Sequence, residues 1–433
     1  MAARCDPTLC RDRPGCTGRR RDQMVSLVVA IPRDLVSRVR LGEVEDRVTE
    51  LDPLVRDVPC HAGSMPGGAL VASFIHGNRV LGSARCRLAL CARRIVTMGL
   101  HFCIVGAGGL GSLVGGWLAE SGVHVTLVGR PDHTQAIRSR GLVVSGIRGQ
   151  RTIRGGLEAV SSPEDARGPF DAVILCVKAR ATAVALDEAR GLRDQTQLAF
   201  SLQNTISKED ELSEWIGRER VIGAATTEAG TLEGAGRVRH VATAPTAFYF
   251  GELDGRTSER VATLVDAFDK AGFPSKQTAH IQHVEWEKLL QTSVLAAWSV
   301  STMGMMSGGS VAEALVVREA AEHYVAIAKE LIAVYRAKGF EPQDFFHPYA
   351  RFRELSRWSF EEAVAGIQAQ GQHMLDIGAV GRPSLHVDLL HGKPTEVDSN
   401  LGPLLAEADR LGIDVPTARA GYRIIRTLEQ MLV

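Results

Sequence analysis

The segment Gly106-Ala107-Gly108-Gly109-Leu110-Gly111 combines residue types and a spacing that suit one kind of chemistry, the holding of a pyrophosphate. Gly106 permits a tight turn, Gly108 lets the main chain approach the phosphates, and Gly111 lets a helix pack on a strand. The N-terminus of that helix offers free N–H groups and the positive end of its dipole. A glycine triplet alone means little, and its frame gives it weight. The compact apolar run His101–Val105 precedes it, helical spacing follows at Leu110, Leu113 and Trp117, and a second apolar run spans His124–Val128. Strand, glycine turn, helix and strand within about 30 residues predict a dinucleotide-binding unit.

The end of the second strand should choose the cofactor. Sites that prefer NAD carry Asp or Glu there to accept from the ribose 2′-hydroxyl. This chain has Gly129-Arg130, with no acid until Asp132. A guanidinium suits a 2′-phosphate, so the expected cofactor is NADPH. Two more strands follow, Asp171–Lys178 and Gln197–Asn204. Ligands of an open parallel sheet sit beyond the carboxyl ends of its strands, which makes Lys178 and Asn204 candidates to meet the cofactor. Lysine is scarce, eight in the chain and none before 178, so the placement of Lys178 carries information. Cys176 reads as a small buried hydrophobe.

These side chains require a frame to hold them. Short β segments cover Val221–Gly251, a helix-like stretch covers Ser258–Ala271, and a short strand lies near Ser275–Ala279. From His283 onward the pattern is helical, over about 283–300, 310–339, 353–378, 397–412 and 416–432. The fold class expected is an α/β Rossmann-type dinucleotide-binding domain (98–279) followed by an all-α C-terminal domain (280–433), with the active site in the cleft between them.

Composition closes off other classes. The 433 residues balance 50 Lys+Arg against 50 Asp+Glu, which argues against holding nucleic acid or acidic membrane by bulk charge. No run of about 18 apolar residues is present, so no membrane-spanning helix is expected, and a cytoplasmic protein is the reading. The average conceals a seam. Residues 1–97 hold 16 Arg, no Lys and 10 acids, and six of the eight cysteines. Cys5, Cys10 and Cys16 lack the paired spacing of a zinc site, and no good signal peptide supports a disulfide framework. Acids such as Asp6, Asp12 and Asp22 argue against a transit peptide. The stretch reads as a dispensable extension, disordered or upstream of a true start at Met98, with a small partner-binding module as the alternative.

Four islands of the sequence resemble the ketopantoate reductase (2-dehydropantoate 2-reductase) family. They are Gly106–Gly111, Leu202-Gln203-Asn204, Trp286-Glu287-Lys288-Leu289, and Pro383-Ser384 through Asp388 leading to Pro394-Thr395-Glu396-Val397-Asp398. Gly236–His240 is similar to the family's β segment. The resemblance spans Met98–Val433 and none of 1–97. It implies reduction of a 2-oxo acid with NADPH. It also implies roles: Lys288 as general acid, Glu396 as a group that orients Lys288 and holds the substrate's hydroxyl end, and Asn204 at the nicotinamide and substrate. Ser384 would contact the substrate carboxylate, and Lys178 and Arg130 would face the cofactor.

The chemistry agrees. Hydride delivered to a carbonyl carbon leaves charge on oxygen, which needs a proton donor and an electrostatic partner, and an ammonium is both. Each residue also has a plainer reading: Lys288 as a surface lysine paired with Glu285, and Glu396 as a carboxylate favoured before a helix by the dipole. The positions one and two turns beyond Lys288 on its face, where the family tends to carry asparagine, are Thr292 and Ala296. Thr205 follows Asn204 where the family prefers glycine. These departures admit a bulkier or less polar 2-oxo acid than ketopantoate. An opine or hydroxyacyl dehydrogenase would need a histidine-centred group, and no histidine, His283 and His386 included, has partners suited to that or to a metal. A non-catalytic NADPH-binding sensor is the other alternative. Apolar helices in the second half provide material for a homodimer.

Overall fold

The structure, a computed structural model, describes residues 99–433 except 307, 349, 379, 380 and 433. It also describes the backbone of two short strands, Cys60–Ser64 and Leu70–Phe74, which pair antiparallel. The remaining expectations for residues 1–97 lie outside the described residues. Leu100–Val433 forms one unit and Met1–Gly99 another.

The apolar runs seen in the sequence build the central sheet. Strands β1 (His101–Val105) and β2 (His124–Val128) flank helix α1 (Gly109–Glu120). Helix α2 (Pro131–Arg140) leads to β3 (Leu142–Gly146), β4 (Arg151–Ile153) and β5 (Leu157–Val160). Next come β6 (Phe170–Leu175), α3 (Thr182–Glu188), β7 (Thr196–Ser201) and α4 (Lys208–Ile216). Five strands pair in parallel in the order β5-β2-β1-β6-β7. Their interiors are buried, as β-branched runs in a sheet covered on both faces should be. The strand order reverses between β1 and β6, which opens a crevice at their carboxyl ends.

Two smaller sheets complete this half. Strands β8 (Ile222–Thr226), β9 (Ala229–Gly234), β10 (Arg237–Ala242) and β11 (Phe248–Glu252) are followed by α5 (Glu259–Lys270) and β12 (Ser275–Gln277). The orders are β8-β11-β12 and β9-β10-β3-β4. Helix α1 lies between two sheets, and adjacent glycines make that fit. A Cβ on Gly115 would sit 2.7 Å from Leu127 of the central sheet, and one on Gly116 would sit 3.0 Å from Leu142 of the four-stranded sheet. Both faces of α1 are therefore buried, which explains why its sequence is apolar all round.

From Ile281 onward every element is a helix. The longest, α6 (Ile281–Met303), is seated at its start on the α/β half: a Cβ on Gly223 would lie 2.7 Å from Ile281. Its later turns run into the helical core. There follow α7 (Val311–Leu315), α8 (Arg318–Ala337), α9 (Phe352–Leu355), α10 (Phe360–Asp376) and α11 (Ser384–Leu390). Helices α12 (Val397–Asn400), α13 (Gly402–Leu411) and α14 (Pro416–Leu432) complete the chain. Gly421 of α14 lets that helix approach Ala297 of α6. Trp298 is fully buried, and its Nε1 donates to the Ala320 carbonyl oxygen at 2.7 Å. Truncating that ring to alanine would cost about 3–5 kcal/mol.

The helical stretch expected over about 353–378 is broken in two: α9 ends at Leu355, and α10 begins at Phe360, where Ser359 caps it. Between the helical stretches expected at 353–378 and 397–412 the chain forms a further helix, α11, which Pro383 leads into with extended backbone. No described helix is long and apolar enough to cross a membrane.

Candidate active site

The glycine turn has the geometry its sequence implies. Gly106 has φ +108°, and a Cβ there would meet the Cys176 carbonyl carbon and the Val177 nitrogen, both at 2.7 Å, so no other residue fits. The Gly106 and Ala107 N–H groups donate to the Val128 carbonyl oxygen, which locks the turn onto β2. A Cβ on Gly109 would run into the Gly230 carbonyl oxygen, and one on Gly111 into that of Gly106. Gly108 differs. It is the N-cap of α1, no side chain caps it, the first turn holds no acid, and a Cβ on it would meet nothing within 4 Å. Main chain thus faces open space at the positive end of a helix, which fits a pyrophosphate. Leu110, partly buried, packs against the core of this half.

Arg130 is exposed and stands at the N-cap of α2, immediately beyond β2, with Asp132 in that helix's first turn. Among the described residues no carboxylate lies within ion-pair distance of Arg130.

Lys178 follows β6 across the crevice from the glycine turn. Its Nζ lies 2.9 Å from Asp388 Oδ2 and 3.0 Å from Glu396 Oε2. The other oxygen of Glu396 accepts the Ala179 N–H at 2.7 Å, and Arg180 donates to the Pro394 carbonyl oxygen at 3.1 Å. Burial would lower the Lys178 pKa, but the carboxylates of Glu396 and Asp388 hold it above the usual lysine range. Glu396 stands at the N-cap of α12, but its side chain makes no capping hydrogen bond and is engaged by Lys178 and the Ala179 N–H instead. Among the described residues no hydrogen bond or ion pair joins Glu396 to Lys288.

Lys288 lines a narrow pocket with Gln203, Asn204, Thr205, Thr226 and Leu289, and Lys208 and Glu285 line it as well. Its ammonium lies 3.5 Å from Gln291 Oε1 and 5.4 Å from the centre of the Phe346 ring. No carboxylate among the described residues pairs with it. Glu285 and Glu287, its neighbours in sequence, are engaged elsewhere. Glu285 Oε1 accepts the Ala224 N–H at 3.1 Å, and Glu287 accepts those of Gln343 and Phe345 at 2.7 and 2.8 Å. Burial without a countercharge lowers the Lys288 pKa to about 8. The surface-lysine reading is therefore not what the structure shows. An unpaired amine poised near neutral pH can give up a proton as well as hold one.

The remaining candidates are dispersed. Asn204 is exposed at the mouth of the same pocket, while the buried Gln203 donates to the Val177 carbonyl oxygen at 3.0 Å and to Thr182 Oγ1 at 2.8 Å, tying the β7 end to the β6 end. Thr292 turns its hydroxyl back onto the Lys288 and Leu289 carbonyl oxygens of its own helix, both at 3.1 Å. Ala296 is buried, and Ser384 is exposed as the first residue of α11. The structure thus forms two groupings, Lys288 with Asn204, and Lys178 with Glu396 and Asp388.

Sequence reasoning did not single out Gln291, Phe346 or Lys208, and it gave Gln203 no role of its own. A signal existed for Lys208, since the scarcity that gave Lys178 weight applies to it equally. Phe346 offered none, because it reaches Lys288 from a segment with no periodicity. A larger cavity, of about 420 Å³, lies beside the C-terminal helix between Gly392 and Leu432 and shares no residue with the lysine pocket.

Two models of one family, described as ketopantoate reductase PanE/ApbA and its C-terminal region, match residues 102–255 and 280–429. An uncharacterized oxidoreductase YkpB of Bacillus subtilis is 26% identical over 330 residues, covering 76% of this chain and 99% of that protein. A 2-dehydropantoate 2-reductase of Pyrococcus horikoshii is 34% identical over 192 residues, covering 44% of this chain and 60% of the relative. Among solved structures, a 2-dehydropantoate 2-reductase of Geobacter metallireducens superposes with a TM-score of 0.63 at 25% identity, covering 76% of this chain and 99% of that one. A D-mandelate dehydrogenase solved with NADH and anilino(oxo)acetate shares the fold, with a TM-score of 0.61 at 19% identity over 77% of this chain and 99% of that one.

Proposed function

The chain belongs to the ketopantoate reductase family, and from that premise we propose that it reduces 2-dehydropantoate or a closely related 2-oxo acid with NADPH. The observation that carries the proposal is Lys288, an ammonium without a carboxylate partner in a pocket it shares with Asn204.

Gly106 through Gly111 hold the dinucleotide, Gly108 by its main chain and the start of α1 by its dipole. Arg130, which has no carboxylate within ion-pair distance among the described residues, takes the 2′-phosphate, which is the basis for NADPH over NADH. When bound, the nicotinamide supplies hydride to the keto carbon. Lys288 neutralises the oxygen as charge develops there and delivers its proton to it, leaving a 2-hydroxy acid and a neutral amine that solvent recharges. Asn204 orients the carbonyl. Ser384 and Glu396 hold the carboxylate and the distal hydroxyl, and for that role Glu396 exchanges its contact with Lys178 for one with substrate.

The identity of the acid turns on the helix face beyond Lys288. Thr292 uses its hydroxyl on its own helix and Ala296 has none to offer, so this wall presents little to a polar substrate tail. That observation favours a less polar 2-oxo acid than ketopantoate as the second reading. The test is loss of NADPH absorbance with a panel of 2-oxo acids, comparing native protein with Lys288→Ala. Turnover that falls at least a hundredfold, with NADPH binding intact, supports the assignment. No turnover with any acid refutes it in favour of a sensor.

A further inference from the structure

Lys208 and Glu285 line the Lys288 pocket and form a buried charged cluster with Glu209, and the reduction chemistry does not use it. Lys208 Nζ lies 3.1 Å from Glu285 Oε1 and 3.6 Å from Glu209 Oε1, and its side chain is 3% exposed. Taking an ammonium out of water is costly, and a Met of similar volume would fill the space more cheaply. What the charge adds is direction. Nζ donates to the Ala224 carbonyl oxygen at 2.6 Å and to that of Gln203 at 3.5 Å, while Glu285 Oε1 accepts the Ala224 N–H at 3.1 Å. One ion pair therefore grips both polar groups of Ala224 on β8 and the residue before Asn204. Glu285 is also one turn ahead of Lys288 on α6, and on the same face. Burial and the neighbouring Glu285 charge push the Glu209 carboxyl well above the usual carboxylate range. Glu209, at the longer distance, is the weaker of the two partners of Lys208.

We propose that the buried Lys208–Glu285 pair is a positioning device that fixes the Asn204 turn against the turn of α6 bearing Lys288. It thereby sets the gap between the group that orients the carbonyl and the group that protonates it. The inference rests on the reading of Lys288 as proton donor.

A double-mutant cycle separates this role from mere support of the fold. Lys208→Met is introduced into the native and the Lys288→Ala backgrounds, and kcat, KM for the 2-oxo acid and Kd for NADPH are measured. Misplacement of a reacting group by about 1 Å costs up to about a hundredfold, so kcat should fall about 10- to 100-fold in the native background with NADPH Kd unchanged. In the Lys288→Ala background Lys208→Met should cause no further fall, because a residue acting through an absent partner has nothing left to lose. An equal fall in both backgrounds, an unchanged kcat, or lost NADPH binding overturns the proposal. Full turnover by Lys288→Ala alone would instead remove the reading beneath it, and that single variant reveals it. If Lys208→Met strands Glu285 and unfolds the chain, Lys208→Met/Glu285→Met removes both charges together and carries the same expectations.

Discussion

The pH dependence of turnover follows from the surroundings of Lys288. In the proposed reduction its ammonium must be charged to stabilise the developing alkoxide and to give it a proton. Burial without a countercharge places its pKa at about 8, so the donor is charged below that value and lost above it. At pH 7 about nine-tenths of the chains carry the proton, and at pH 9 somewhat under one-tenth, so kcat/KM should fall about tenfold across that interval. The assay is initial-rate NADPH oxidation at saturating NADPH and limiting 2-oxo acid, with the midpoint of the alkaline limb fitted. Two substitutions fix its origin. Lys288→Arg keeps a charge that does not titrate in this range, so the limb should flatten even where the misplaced guanidinium slows the reaction. Lys288→Ala removes donor and charge together, and general acid catalysis of this kind contributes about 10²–10⁴-fold, or about 3–5 kcal/mol. A limb that persists in Lys288→Arg, or a native midpoint at the ordinary lysine value of 10.5, would refute the reasoning.

Arg130→Asp should raise the NADPH Kd about 10- to 100-fold through loss of a charge-assisted contact, with the NADH Kd little changed; equal changes for both cofactors would remove its phosphate role. Gly108→Ala and Gly109→Ala should separate binding from folding. The first leaves thermal stability intact and weakens NADPH, since its Cβ meets nothing within 4 Å, whereas the second costs about 1–3 kcal/mol because its Cβ runs into Gly230. Calorimetry with and without NADPH distinguishes them. Burial raises the Glu287 pKa to about 7 against an ordinary 4.5. The folded chain therefore holds that proton longer than the unfolded one, and stability present below pH 4.5 is lost as pH climbs through 7. The loss is on the order of 3 kcal/mol, and Glu287→Gln should flatten that slope in denaturant unfolding.

The sequence disclosed what periodicity and short-range spacing can carry. The units β1-α1-β2, β6 and β7 were legible because apolar runs of strand length stand between glycines. The long helices of the C-terminal half were legible from their repeat. Strands β3 and β4 were not, since both are short and partly exposed, and β3 is completed by β10, far along the chain. Helix α11 was hidden by Gly378, Gly381 and Pro383 just before it. The site divides in the same manner. Its glycine turn is a local object and was readable in full, as was Asn204 at a strand end. The pairing of Lys178 with Glu396, 218 residues apart, was not, nor was that of Lys208 with Glu285, because spacing says nothing of partners that meet only after folding.

Helix α6 is one unbroken rod whose first residue is wedged between Gly223 and Gly251 and whose second turn bears the reactive amine. No loop intervenes to absorb an error, so the depth at which Ile281 sinks into the sheet dictates the reach of the amine. Reactivity of the proposed kind is consequently adjustable from beneath: a methyl group added at either glycine, out of sight of any substrate, would tilt the rod and draw the proposed proton donor off its mark.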